Sequence, residues 1–296
     1  MDLRAQTDEC LILRSRDFNE SDRLLTVFGR HLGKLACLAR GVRKPKSRLK
    51  AATLPFVCGQ LEFSASPRRG SQSGQGGSQG LRLITQGETL HSLPEMREDL
   101  VKIGMANYVA EMLDWVLPPE KPQENLYILA MTVLLLAAAV EEPRQQYLLL
   151  KFFEVRLLGE LGWRPRLEGC ARCGRSVASL PPPLPGAAPS LYTAPALGGL
   201  VCATCRRDLG WSLGMSNGRE VNNSSGEAIS KGGVRVLIGL LDWEPRRFLQ
   251  LRLGAELSRE INRALWSYLD YHLGQGSQKA RKNLLLYCSE ILTRPA

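Results

Sequence analysis

Between Arg23 and Leu61 the chain has no Asp and no Glu, while nine Lys or Arg fall in the same stretch. A solvated loop needs charge, but rarely of one sign only, so this missing acidity points to a polyanionic partner. Aromatic residues are scarce as well. Residues 1–89 have no Trp or Tyr, only Phe18, Phe28, Phe56 and Phe63. Most of these fall at inward strand positions, which leaves few rings to stack on bases and makes binding to phosphates the expectation. The three His residues, His31, His91 and His272, show no HxxxH or HExxH spacing and read as surface or interface residues. In "GRHLGK" (29–34) the glycines stand too close together, and Leu35 occupies the place where a phosphate-binding loop needs Ser or Thr. Carboxylate pairs such as Glu141–Glu142 lie at helix ends as solvated charge. Nuclease and ATPase chemistry both lack their parts, and the chain is not expected to be an enzyme. The longest apolar run, "LYILAMTVLLLAAAV" (126–140), is shorter than the roughly 20 residues that span a bilayer and reads as a buried helix. No export signal is visible in "MDLRAQTDEC". Eight Cys in such a chain point to reduced thiols and metal ligation, with the cytoplasm as the expected compartment.

What is present divides by charge and by period. The length of 296 residues suits two domains, or two and a small module. Residues 1–89 hold 15 Lys or Arg against 8 Asp or Glu, so most of the net charge of +10 belongs to the N-terminal part. That part reads as five short strands: "DECLILRS" (8–15), "DRLLTVFG" (22–29), "GKLACLARG" (33–41), "FVCGQLEFSA" (56–65) and "LRLITQGE" (81–88). Hairpin-like spacing of five strands in about ninety residues predicts a closed barrel of the OB type. The Gly, Ser and Gln of 71–80 form an elongated hairpin tip.

From residue 92 the period becomes helical. Ser92 is the expected cap of a helix with Pro94 in its first turn, ended by "PPEKP" (118–122). Helices follow at about 123–140 and 144–161, the second closed by Gly162, then at about 227–241 and 255–273, with a last basic helix near 278–292. The fold class is therefore α+β multidomain. The expected parts are an OB-type barrel at 1–89, a helical domain in two parts at 90–166 and 211–296, and a loop-rich insert at 167–210.

That insert holds "CARC" (170–173) and "CATC" (202–205). Two CxxC pairs supply four thiolates, and Zn²⁺ prefers a tetrahedron of four ligands at about 2.3 Å. Cys170, Cys173, Cys202 and Cys205 are thus expected to hold one structural Zn²⁺, closed to water and hence not catalytic. Gly174 suits the sharp turn after the first pair; Arg206 suits the second less well. Arg172, Arg175, Arg206 and Arg207 offset the −2 charge of such a centre or reach phosphates. Cys10, Cys37, Cys58 and Cys288 lie in apolar segments and read as core.

The remaining signal is "RGVRKPKSRLK" (40–50), interrupted by Pro45 and leaving the third strand, where OB barrels contact nucleic acid. The candidate nucleic-acid contacts are Arg40, Arg43, Lys44, Lys46, Arg48 and Lys50, with Lys34, Arg68 and Arg69 extending the surface. An RNA-binding OB protein with a zinc ribbon, or a protein-interaction scaffold whose charge is incidental, would carry the same composition.

Three stretches carry a resemblance over nearly the whole chain: "ESDRLLTVFGRHLGKLACLARGVRKPKSRLKAATLPF" (20–56), "FFEVRLLGELGWRPRLEGCARCGR" (152–175) and "LDYHLG" (269–274). In these the sequence resembles the RecO family of bacterial recombination mediators. The resemblance implies an N-terminal OB barrel, a helical C-terminal domain and a zinc module. It also implies a non-catalytic activity in DNA repair: binding single- and double-stranded DNA, annealing complementary strands, and helping to load RecA onto strands coated by single-strand binding protein (SSB). The partners it implies are RecR and the C-terminal tail of SSB, with RecA acted on indirectly, at the bacterial nucleoid and without a membrane. The Gly/Ser/Gln insert at 71–80 and the polar stretch 211–233 depart from the family pattern.

Overall fold

The computed structural model describes residues 5–64, 81–180, 189–210 and 226–293. The expected hairpin tip at 71–80, Arg68 and Arg69, and 211–225 of the polar stretch lie outside these residues. Two compact units divide between Ala138 and Ala139, so the first helices group with the barrel rather than apart from it.

In the first unit, strands β1 (Gln6–Phe18), β2 (Asp22–Gly29), β3 (Gly33–Ala39), β4 (Cys58–Phe63) and β5 (Arg82–His91) close a barrel in the order β1-β2-β3-β5-β4. β1 pairs with β4 through Gln6–Leu11 and with β2 through Cys10–Phe18, and a bulge between Ile12 and Arg14 bends it from one neighbour to the other. The interior follows from alternation: Cys10, Ile12, Leu25, Val27, Leu35 and Cys37 point inward, while Arg14, Thr26 and Ala36 share an outer row. The expected cores at Cys10, Cys37, Cys58 and Cys288 are all buried.

α1 (Glu95–Glu98), α2 (Leu100–Val116) and α3 (Glu124–Ala139) follow. Ser92 does not cap this run. The backbone leaves the helix at Asp99 (φ −105°, ψ 127°), and the Asp99 side chain accepts from the Lys102 N–H, starting α2 anew. An acidic side chain satisfies the orphan donors of the longer helix, which the single turn of α1 does not need.

The second unit is built around α4 (Pro143–Glu160), which packs against α6 (Lys231–Asp242), α8 (Ala255–Leu273) and α9 (Gln275–Thr293). The insert is not mainly loop. β6 (Arg166–Cys170), β7 (Leu191–Ala194) and β8 (Gly199–Cys202) form a small sheet in the order β6-β8-β7, followed by α5 (Ala203–Asp208). Four-residue strands buried on both faces show no alternation, which is why the sequence read as loop. A one-turn α7 (Pro245–Phe248) lies between α6 and α8. No described helix is long and apolar enough to cross a membrane.

Candidate nucleic-acid interface and metal centre

Residues 40–57 leave β3 as a chain of turns seated on the barrel. Val42, Ala52 and Val57 are buried in the barrel core, with Leu49 and Leu54 packed against it. Gly41 takes φ +61°, a conformation costly for other residues, and its N–H donates to Asp22 Oδ1 at 2.8 Å. That donor is the main reason the Asp22 carboxyl titrates below its ordinary value. The Arg43 N–H donates to the Ser21 carbonyl at 2.9 Å, tying the loop to the β1–β2 hairpin. Apolar side chains thus anchor the segment, and the cations point away from it. Arg40, Arg43, Lys44, Lys46, Arg48 and Lys50 are all exposed. Arg43 pairs with Asp17 at 3.3 Å. Lys44, Lys46, Arg48 and Lys50 make no ion pair among the described residues.

Lys34 is not part of this surface. Its Nζ donates to the Asp114 carbonyl at 2.6 Å and lies 3.3 Å from Asp114 Oδ1, so its charge is committed to α2. Sequence distance hid this contact, because Asp114 is eighty residues away.

Beside the loop, a groove of about 730 Å³ runs along the outer face of β1, β2 and β3, with α2 as its far wall. Arg14 and Arg16 line it from β1, Thr26 and Ala36 from the strands beneath, Asn107 and Asp114 from α2. Phe18 lines one end and is 41% exposed, whereas Phe28, Phe56 and Phe63 are buried. None of the groove arginines was singled out by the charge run. Their only signal is the two-residue spacing of "RSR" on a strand.

In the second unit the four sulfurs of Cys170, Cys173, Cys202 and Cys205 lie within 4.8 Å of one another, and no other such group of ligands occurs among the described residues. A tetrahedral Zn(Cys)₄ centre needs sulfurs about 3.8 Å apart; Cys173 and Cys202 stand at 4.0 Å. Gly174 has the expected positive φ of +73°, and its N–H donates to the Cys170 carbonyl at 2.9 Å. The second pair needs no such glycine, because Cys202 ends β8 and Cys205 sits in α5; Arg206 simply continues the helix. Burial works to raise the Cys170 thiol, but the N–H groups of Cys173, Cys202 and Arg172 outweigh it and hold it down at about 6. Burial and the neighbouring thiols push Cys205 up to about 12. One sulfur ionises readily and another clings to its proton, an imbalance that a soft divalent cation removes. The donor set fits a metal ion. Around it, Arg172 donates to the Cys205 carbonyl at 3.1 Å, and Arg206 is buried over the Tyr192 ring at 4.0 Å. Only Arg175 and Arg207 keep exposed heads without such a partner.

Comparison with known proteins places the chain in a family. Residues 1–93 match the family model "Recombination protein O N terminal", and residues 97–182 match "Recombination protein O C terminal". The chain belongs to the RecO family. It is 32% identical over 265 residues to the DNA repair protein RecO of Pelotomaculum thermopropionicum, covering 90% of this chain and 88% of that one. It is also 32% identical over 261 residues to RecO of Symbiobacterium thermophilum, covering 88% of each chain. The identity to RecO of Heliobacterium modesticaldum is 31%, over 89% of this chain and 83% of that one.

Proposed function

We propose that this protein is a non-catalytic mediator of recombination in bacterial DNA repair, working in the cytoplasm. It binds single- and double-stranded DNA and anneals complementary strands. With RecR it helps RecA onto strands coated by SSB, whose C-terminal tail it contacts. One Zn²⁺ ion, held by Cys170, Cys173, Cys202 and Cys205, staples the small sheet and takes no part in chemistry. The observation that carries this reading is the segment 40–50, whose apolar residues are locked into the barrel while its cations face solvent. A fixed arc of positive charge neutralises two phosphate backbones at once, lowering their repulsion without reading sequence. Annealing then follows from electrostatics alone. Arg68 and Arg69 are proposed to extend the arc, and the barrel to be the principal DNA-binding domain.

Annealing of two complementary labelled oligonucleotides, followed by fluorescence, tests this. The wild type should anneal them rapidly and the Arg43/Lys44/Lys46→Glu variant should lose at least tenfold in rate. Equal annealing by both would show the loop to be merely solvated. Tighter binding to RNA than to matched DNA would favour an RNA partner, and no annealing by the wild type would favour a scaffold.

A further inference from the structure

We infer that Cys173 is a peroxide-reactive site, and that its oxidation joins it to Cys202 in a disulfide that expels the metal from the four-cysteine cluster. The inference rests on the reading of that cluster as a zinc centre, and adds to a structural staple a second, oxidised state in which the staple is open.

The four sulfurs are not equally accessible. Cys170, Cys202 and Cys205 are 3%, 2% and 6% exposed, whereas Cys173 faces solvent. Cys10, Cys37, Cys58 and Cys288 are buried as well, which makes Cys173 the one exposed residue among the eight cysteines. A thiol that holds Zn²⁺ is deprotonated outright, so the sulfur offered to solvent by a filled centre is a thiolate, the form that attacks an oxidant. Arg172 and Arg175 flank it in the chain, and the Arg172 side chain is itself exposed while donating to the Cys205 carbonyl at 3.1 Å. An exposed thiolate among cations is the setting in which cysteines react. Zn²⁺ has no redox chemistry of its own, so the electrons must come from sulfur.

The partner sulfur is close by. Cys173 Sγ lies 4.0 Å from Cys202 Sγ, against about 2.05 Å in a disulfide, so one of the two must move by about 2 Å. Cys202 is held: it ends β8, pairs with Leu191 of β7, and its N–H donates to Cys170 Sγ at 3.4 Å. Cys173 sits on the turn that follows β6, beside Gly174 at φ +73°, where a side chain would meet open space. The exposed cysteine is therefore the one free to travel. In the first step its thiolate attacks one oxygen of hydrogen peroxide; the O–O bond breaks, a sulfenic acid forms and hydroxide leaves. In the second the Cys202 thiolate attacks the Cys173 sulfur; the S–O bond breaks, the S–S bond forms and a second hydroxide leaves. Sulfur gives up two electrons, the peroxide accepts both, and two protons from solvent convert the hydroxides to water. Two of four ligands are then gone, and a cation that prefers four departs. The disulfide replaces the metal as the tie between the β6 turn and the end of β8, while Cys205 on α5 is set free.

The test exposes the full chain, purified with its metal, to hydrogen peroxide. Zinc is read with a chromophoric chelator, and disulfides by tandem mass spectrometry of tryptic peptides, on which cleavage after Arg172 separates Cys170 from Cys173. Wild type should release about one zinc per chain and show Cys173 linked to Cys202. Cys10, Cys37, Cys58 and Cys288 should stay reduced, and a dithiol reductant with added zinc should restore the centre. Cys173→His supplies a fourth ligand without a thiolate and should release its zinc about tenfold more slowly or less. Should that variant hold no zinc from the start, the link mapped in wild type decides. Release without a Cys173–Cys202 link, as with Cys170 bonded to Cys173 instead, would overturn the assignment. So would release from Cys173→His at the wild-type rate. Zinc and thiols that survive peroxide intact would end the redox state and leave the structural centre standing. A wild-type chain without zinc before peroxide is added would remove the metal reading, and the expulsion with it.

Discussion

Two opposite charges sit at zero exposure in the middle of α4. Lys151 Nζ lies 2.7 Å from Glu154 Oε2 and 2.8 Å from Oε1, and both side chains are fully buried. The ammonium also stands 5.3 Å over the Trp266 ring, whose Nε1 donates to Glu154 at 3.4 Å. Burial drives the Lys151 pKa down, and the neighbouring carboxylate opposes it. A buried pair is worth little against an apolar replacement, yet breaking it strands a charge. Lys151→Met should therefore lower unfolding free energy by about 3–5 kcal/mol in denaturant titration, while Lys151→Met with Glu154→Leu should recover most of the loss. A single variant as stable as wild type would show that no buried charge is stranded when Lys151 is removed. The sequence presents Lys151 inside an apolar run, but not its partner's geometry. Lys34 shows the reverse: in sequence it looks like another loop cation, and eighty residues later Asp114 claims it.

At the scale of elements, the basic loop and the cysteine module each depend on a few anchoring contacts. Asp22 accepts the Gly41 N–H at the point where the loop leaves β3. Its lowered pKa means that the folded state prefers the ionised carboxylate. The anchoring is therefore present above the ordinary carboxylate value of about 3.9 and is lost as pH falls through the lower folded value. Asp22→Ala should accelerate hydrogen exchange of the Gly41 and Arg43 amides at neutral pH; unchanged protection would place the anchor elsewhere. In the module, the central strand β8 is held by pairing with β6 and β7, by burial along its length, by the Tyr268 hydroxyl, which donates to the Gly199 carbonyl, and at its end by Cys202 of the four-cysteine cluster. Removing the metal by chelation, or substituting Cys202→Ser, should release about one zinc per chain in elemental analysis. It should also expose residues 166–208 to exchange while the barrel amides stay protected. A chain that contains no zinc when purified from metal-replete cells, or keeps its protection, would remove the structural role.

For the molecule as a whole, the decisive quantity is the uneven placement of charge. The N-terminal 89 residues carry an excess of Lys and Arg over acids, and the four loop cations from Lys44 to Lys50 make no ion pair among the described residues. If about five phosphates are neutralised, the logarithm of the affinity for a single strand should fall with the logarithm of salt concentration at a slope near −3.5. A titration from low to high salt measures this directly. An affinity insensitive to salt would mean that binding does not run through phosphates. The Glu triple variant should show a distinctly flatter slope, since the phosphates it no longer meets release no ions.

What the sequence by itself determined is whatever depends on neighbours along the chain. β2 was legible to its end residues because alternation and Gly29 are local, and α3 and α4 because their apolar periods are long. The four cysteines declared themselves by spacing, and the run without acids marked the loop. Tertiary structure alone decided which charges stay free, which strands of the module exist, and where β1 lays Arg14, Arg16 and Phe18 beside α2. The physical reason is the same in each case. A side chain's availability is set by the groups that closure of the barrel and packing of the helices bring to it, and those come from positions the local pattern does not contain.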